Sequence, residues 1–275
     1  MSTKPGPQVR YALPTPACYV PLFALTPGSP TEPFRHHGTG TLMIYRQRPL
    51  LVTAAHVVED APHGLAVMLT RDGLMKKVNE KKSELLNGGE FARLRTTFRK
   101  TAIPEGKTRG DDWLDVAATA LDIETAVHIT FGPIGYMMVP EILPAELKPG
   151  VRVKLAGYPE WTTEGQPKVY HLAEGSAATL YPLCLNSKLV PEEEYPAGVP
   201  REHCVIADNM REDRTEAVRS EAAFSPGGMS GGPMFLDCDN TRLVGIATNW
   251  GRKAGCVYAT KLTSVTDVLD AAVAD

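Results

Sequence analysis

The heptapeptide Gly-Gly-Met-Ser-Gly-Gly-Pro at residues 227–233 is the strongest constraint in this 275-residue chain. Glycines flank one serine, so the backbone can turn tightly and its amides stay uncovered by side chains. Such a turn presents a hydroxyl beside N–H donors, the parts needed to attack a carbonyl and hold the resulting oxyanion. Two other segments carry matching chemistry. Residues 52–57 read Val-Thr-Ala-Ala-His-Val, and residues 113–118 read Trp-Leu-Asp-Val-Ala-Ala. A histidine, an aspartate and a serine therefore follow one another as His56, Asp115 and Ser230, at spacings of 59 and 115 residues. A serine hydroxyl is a poor nucleophile at neutral pH and needs a base within hydrogen-bond reach.

Thr53-Ala54-Ala55-His56, Leu114-Asp115-Val116-Ala117 and Gly228-Met229-Ser230-Gly231-Gly232-Pro233 resemble the histidine, aspartate and serine motifs of the chymotrypsin/trypsin-like serine peptidases. The order His…Asp…Ser is also that of the chymotrypsin fold, whereas subtilisins and α/β-hydrolases use other orders. The resemblance covers roughly residues 15–270 and is to members of bacterial intracellular type. It implies an all-β fold of two antiparallel six-stranded β-barrels, with a C-terminal α-helix packed on the second barrel and the active site in the cleft between barrels. It implies a serine endopeptidase that needs no metal or organic cofactor. Ser230 would be the nucleophile, His56 the general base and Asp115 the group that orients His56. The backbone amides of Gly228 and Ser230 would form the oxyanion hole. Asp111 and Asp112 are close rivals of Asp115, which is preferred because apolar residues flank it on both sides.

By the family's spacing, Phe224 and Ser225 fall at the base of the specificity pocket, Thr248, Asn249, Trp250 and Gly251 along one wall, and Cys256 near the back. No acid is in register to bind Lys or Arg, so an apolar or small neutral side chain is the expected preference. Met229 departs from the secreted relatives, which carry an aspartate there that pairs with a newly freed N-terminal amine. The chain also lacks their Ile/Val-Val-Gly-Gly activation sequence near its start. Its active loop must be shaped by packing, or by an activating protein partner.

The five cysteines, Cys18, Cys184, Cys204, Cys238 and Cys256, are odd in number and form no CxxC pair. Neither a disulfide framework nor a zinc site is indicated, and free thiols in a reducing cytoplasm are the simplest account. No secretory leader and no run of 18 apolar residues appears, so no membrane segment is expected. Residues 1–16 read as a proline-rich arm. The peptidase domain spans 17–270, with the first barrel over 17–130, the second over 145–260 and the closing helix over 262–274, capped by Thr263 or Ser264.

Strands are read at 17–24, 38–45, 49–55, 66–70, 116–121, 151–157, 204–207, 233–236, 243–248 and 256–260, with two more over 168–180, and two insertions, over 71–110 and 181–221, interrupt this plan. Residues 71–110 hold eleven basic and five acidic residues, and residues 192–221 hold nine acidic and four basic ones. The first reads as a solvated loop with a short helix over Lys76–Leu86. It has no aromatic interleaving for base stacking, so nucleic acid is not an expected partner. The expected partners are protein or peptide substrates, in a regulatory or defence-associated role. Rival readings are a viral polyprotein protease of the same fold, and a catalytically silent barrel module that binds protein partners through its charged insertions.

Overall fold

Short runs of apolar and β-branched residues between turns build two sheets in the computed structural model. It describes residues 18–28, 34–68, 91–103, 105–109, 113–129, 137–138, 147, 150–158, 183–208, 227–236, 239–251 and 256–274. The expected helix over Lys76–Leu86 and the strands expected over 168–180 lie outside these residues. In the first sheet, β1 (Tyr19–Leu25), β2 (Phe34–Tyr45), β3 (Arg48–Thr53), β4 (Leu65–Met68), β5 (Phe91–Arg93) and β7 (Ala117–Ala120) form the order β5-β4-β1-β2-β3-β7. Two strands of two residues each join it: β6 (Arg99–Lys100) pairs with β7, and β8 (Met137–Met138) runs parallel to β2.

The second sheet has six antiparallel strands: β9 (Arg152–Gly157), β10 (Leu183–Lys188), β11 (Cys204–Ala207), β12 (Pro233–Leu236), β13 (Asp239–Gly251) and β14 (Cys256–Lys261). Their order is β10-β9-β12-β13-β14-β11. Leu189 bridges to Ala207, Val190 N–H donates to Ile206 O at 2.9 Å, and Asp208 N–H donates to Lys188 O at 2.8 Å. These contacts join the two ends of the order and close the sheet, which removes its exposed edges.

Alternation along the strands assigns side chains to separate cores. On β1, Val20, Leu22 and Ala24 enter the interior of the first sheet with Leu42, Leu51 and Val67. Tyr19 and Phe23 point the other way, into a cluster shared with Tyr158, Phe235, Leu243 and Ile246 of the second sheet. On β12, Met234 and Leu236 fill the second interior beside Val153 and Leu155, whereas Phe235 faces the shared cluster. Both faces of these strands are therefore buried. The shared cluster fixes how one sheet sits on the other.

The C-terminal helix runs Thr266–Val273 after a 3₁₀ turn at Leu262–Ser264. It contacts β3, β6 and β7, so it packs on the first sheet rather than the second. Leu269 and Ala272 enter the shared cluster, and Asp270 accepts hydrogen bonds from Tyr45 Oη at 2.7 Å and Arg46 Nη2 at 2.9 Å. Neither Thr263 nor Ser264 caps it. Val265 holds the N-cap position without a side-chain bond, because Ser264 Oγ donates instead to Glu202 O at 3.1 Å.

Phe235 is 1% exposed at the junction of the sheets. Phe235→Ala is expected to lower the unfolding free energy by about 3–5 kcal/mol, the usual range for emptying a packed aromatic site. Denaturant unfolding followed by circular dichroism measures it; a loss under about 1 kcal/mol contradicts this account of the junction.

Candidate active site

Three sequence-distant segments meet where the sheets adjoin. His56 stands in the short helix α1 (Ala55–Glu59), just past the end of β3, and not on the strand itself. Asp115 lies in the turn before β7 and is 4% exposed. Its Oδ1 accepts the backbone N–H of His56 at 2.9 Å, and its Oδ2 pairs with His56 Nδ1. One carboxylate thus holds both the main chain and the ring of the histidine. A proton on Nδ1 leaves Nε2 as the acceptor, the tautomer a general base requires. The Asp115 turn is tied to the second sheet as well. Trp113 O accepts from Thr260 Oγ1 at 2.8 Å, and the Trp113 ring lies 5.3 Å from the Tyr258 ring. Asp111 and Asp112 lie outside the described residues.

Burial is the largest influence on His56 and lowers its pKa. The hydrogen bond and charge of Asp115, with the charge of Asp60, more than offset burial, so the net shift is upward from 6.5; Arg109 opposes it. His36, half-buried and bonded to Gly38 O at 3.1 Å, is pushed down to about 4, chiefly by desolvation. It stays neutral near pH 7.

The glycines of the serine loop have separate physical reasons. Gly228 takes φ +85°, and a Cβ there would meet His36 Cε1 at 2.5 Å and Tyr158 O at 2.6 Å. Gly231 takes φ +89°, and its Cβ would lie 2.0 Å from Thr39 O. Only glycine fits either position. Between them Met229 is 2% exposed and packs among Val153, Leu155 and Met234. Its side chain anchors the loop in the second interior by apolar contact.

Threonines of the first sheet bind the same loop, a signal not singled out in the sequence. Thr39 N–H donates to Ser230 O at 2.9 Å. Thr39 Oγ1 donates to Gly228 O at 2.7 Å and accepts from Tyr158 N–H at 3.0 Å. Thr41 Oγ1 donates to Gly231 O at 2.8 Å, and Thr53 Oγ1 donates to Thr39 O at 2.8 Å. The loop therefore rests against the end of β3, beside the start of the His56 helix. Among the described residues the N–H groups of Gly228 and Ser230 make no hydrogen bond to protein, and Ser230 Oγ makes none to His56 Nε2. Nucleophile and base commonly tighten only around substrate.

Thr248, Asn249, Trp250 and Gly251 follow one another on β13, and Cys256 pairs with Gly251 across the β13–β14 ladder. Thr248 is buried, Asn249 is exposed, and Trp250 packs on the second interior. Burial raises the Cys256 thiol pKa, with a smaller contribution from Asp208. Cys18, Cys204 and Cys256 are free thiols. Phe224 and Ser225 lie outside the described residues, so the base of the pocket does too.

No family profile matches the chain, and no curated protein matches it in sequence. Solved structures match it in fold. A mutant of human heparin binding protein aligns at a TM-score of 0.57 and 13% identity, over 96% of this chain and 95% of that one. A Glu endopeptidase aligns at 0.53 and 15% identity, over 96% and 93%. GrC aligns at 0.56 and 15% identity, over 96% and 97%. The chain has the chymotrypsin-like fold.

Thr39→Val removes one hydroxyl and leaves Gly228 O and Tyr158 N–H without that partner. It is expected to destabilise the protein by about 1–3 kcal/mol and to slow reaction of Ser230 with a fluorophosphonate by about tenfold or more. Thr39→Ser should restore both. Unchanged labelling in Thr39→Val would separate this threonine from the loop geometry.

Proposed function

We propose that the chain is a serine endopeptidase that cleaves proteins or peptides through Ser230, His56 and Asp115. The observation that carries this reading is the double grip of one buried carboxylate on the backbone and ring of His56, beside a glycine-framed serine loop tied to the same strands. Ser230 Oγ adds to the scissile carbonyl while its proton passes to His56 Nε2. The oxyanion accepts from the N–H groups of Gly228 and Ser230, each such donor being worth about 100- to 1,000-fold in turnover. Collapse expels the amine, which takes the proton from His56, and leaves an acyl-enzyme. Water then enters by the same route and releases the acid. Asp115 holds the imidazole tautomer throughout.

Met229 belongs to the second apolar interior, which supports a loop shaped by packing without a freed N-terminal amine. The candidate wall of Thr248, Asn249, Trp250, Gly251 and Cys256 bears no formal charge when the thiol is protonated, which fits an uncharged side chain before the scissile bond. Free thiols at Cys18, Cys204 and Cys256 fit a reducing cytoplasm.

A fluorophosphonate is expected to label Ser230, and Ser230→Ala to abolish labelling without unfolding. Asp115→Asn should slow turnover about 10,000-fold by favouring the wrong tautomer, with far smaller losses for Asn at Asp111 or Asp112. A folded wild-type protein that stays unlabelled at every pH overturns the reading.

The same experiment has a pH signature. His56 acts only when Nε2 is unprotonated, and its pKa lies above 6.5. Labelling should therefore rise with pH through a midpoint above that value. A midpoint below it, measured from initial rates in buffers of constant ionic strength, contradicts the assigned Asp115–His56 coupling.

A further inference from the structure

The helix that carries His56 also carries Glu59, and Glu59 is not left to solvent. Arg109 Nε donates to Glu59 Oε2 at 3.1 Å and Arg109 Nη2 to Glu59 Oε1 at 2.9 Å, a two-point grip. Two further guanidinium contacts go to Thr101, with Nη1 donating to Oγ1 at 3.2 Å and Nη2 to the carbonyl at 3.1 Å. Thr101 N–H in turn donates to Val116 O at 3.0 Å, next to Asp115. From this seat Arg109 Nε lies 4.0 Å from Asp115 Oδ1, with its side chain only 12% exposed.

We propose that Arg109 is a positioning residue of the active site: it clamps the His56 helix, through Glu59, to the Asp115 turn and supplies the positive charge that balances the carboxylates around His56. The proposal rests on the peptidase reading of Ser230, His56 and Asp115. Among the described residues, the charged and titratable groups acting on His56 are Asp115, Asp60, Arg109 and His37. Glu59 faces Arg109 and Lys100, whose Nζ lies 3.1 Å from Oε1. The Arg109 hydrogen bond is the leading reason the Glu59 carboxyl is held down to about 2.

Two carboxylates, Asp115 and Asp60, thus act on one imidazole, while Glu59 on the same helix holds the Arg109 guanidinium that opposes them. Unbalanced, they would hold it protonated and unable to accept the Ser230 proton. Most surface ion pairs contribute little. This one is bidentate, largely buried, and joined to both halves of the Asp115–His56 pair, where a charge-assisted fork is strongest.

The test compares wild type, Arg109→Met, Arg109→Lys and Glu59→Gln in the full chain. One readout is the titration of the His56 imidazole by NMR, assigned with His56→Ala. The other is the rate of fluorophosphonate labelling from pH 6 to pH 9. In Arg109→Met the His56 midpoint should move up, and labelling at pH 6.5 should fall about fivefold yet recover to within about twofold at pH 9. Arg109→Lys should restore most of the loss. Glu59→Gln should move the midpoint down, the opposite direction. Midpoints that stay put in both variants, or a labelling loss equal at every pH, overturn the proposal. If Arg109→Met does not fold, the signs of the Glu59→Gln and Arg109→Lys shifts decide. Absence of wild-type labelling would instead sink the Ser230 reading, while the NMR titration still decides the role of Arg109.

Discussion

Two buried threonines hold the serine loop to the first sheet and a third braces them, and the placement of the site depends on this set. Thr39, Thr41 and Thr53 are each fully buried, and their hydroxyls donate to Gly228 O, Gly231 O and Thr39 O. The net stabilisation from each bond is only about 1 kcal/mol, but a buried carbonyl left without its donor costs more. The set therefore acts mainly as a specification: any other placement of the loop strands several polar groups in an apolar junction. The apolar cluster of Phe23, Tyr158, Phe235 and Ile246 presses the sheets together without direction. The threonine bonds supply the direction.

Met229 makes sense in that setting. A loop already held by Thr39 on one side needs an anchor on the other, and a flexible apolar side chain fills an irregular space well. Met229 lies in the second interior, and Gly228 is wedged between His36 and Tyr158 O. The glycines answer sterics. The methionine answers packing. The serine between them is half-buried.

Much of the strand pattern was legible in the sequence, because apolar runs punctuated by turns mark β11 and β12 to the residue and β1, β3, β4, β7, β9 and β14 to within a few residues. The reading failed where side chains face polar surroundings or local competition. Leu183–Lys188 carries exposed Asn186 and Lys188 around a buried Ser187, and these polar residues hid a strand within what read as an insertion. Ser264 carries the composition of a cap, but its hydroxyl is taken by Glu202 O. At the site, the motif residues His56, Asp115 and Ser230 stood out because their local context is unusual. Thr39 did not, since Gly-Thr-Gly-Thr reads as an ordinary weak strand; a Cβ at Gly38 would meet Val57 and Ser230 O, and one at Gly40 would meet Leu51 and Leu22. Arg109 was invisible for a different reason. Its partners Glu59 and Asp115 are distant in sequence, and a basic run gives no sign of which member folds inward.

Charge counted along the chain therefore overstates the charge offered to a partner. The segment 71–110 carries an excess of basic residues, yet Lys100 and Arg109 are both committed to Glu59, at the back of the His56 helix. The acidic segment that begins at Glu192 behaves in the same way: Glu192 pairs with Lys261 Nζ at 3.1 Å, and that ammonium also donates to Arg201 O. In each case one sign of charge from the segment meets the opposite sign on a regular element, Glu59 on the His56 helix and Lys261 on β14. Burying part of the side chain and adding hydrogen bonds makes such pairs directional where exposed pairs are not. These charges of both segments are thus tied to the two halves, and Arg109 lies 4.0 Å from Asp115 itself.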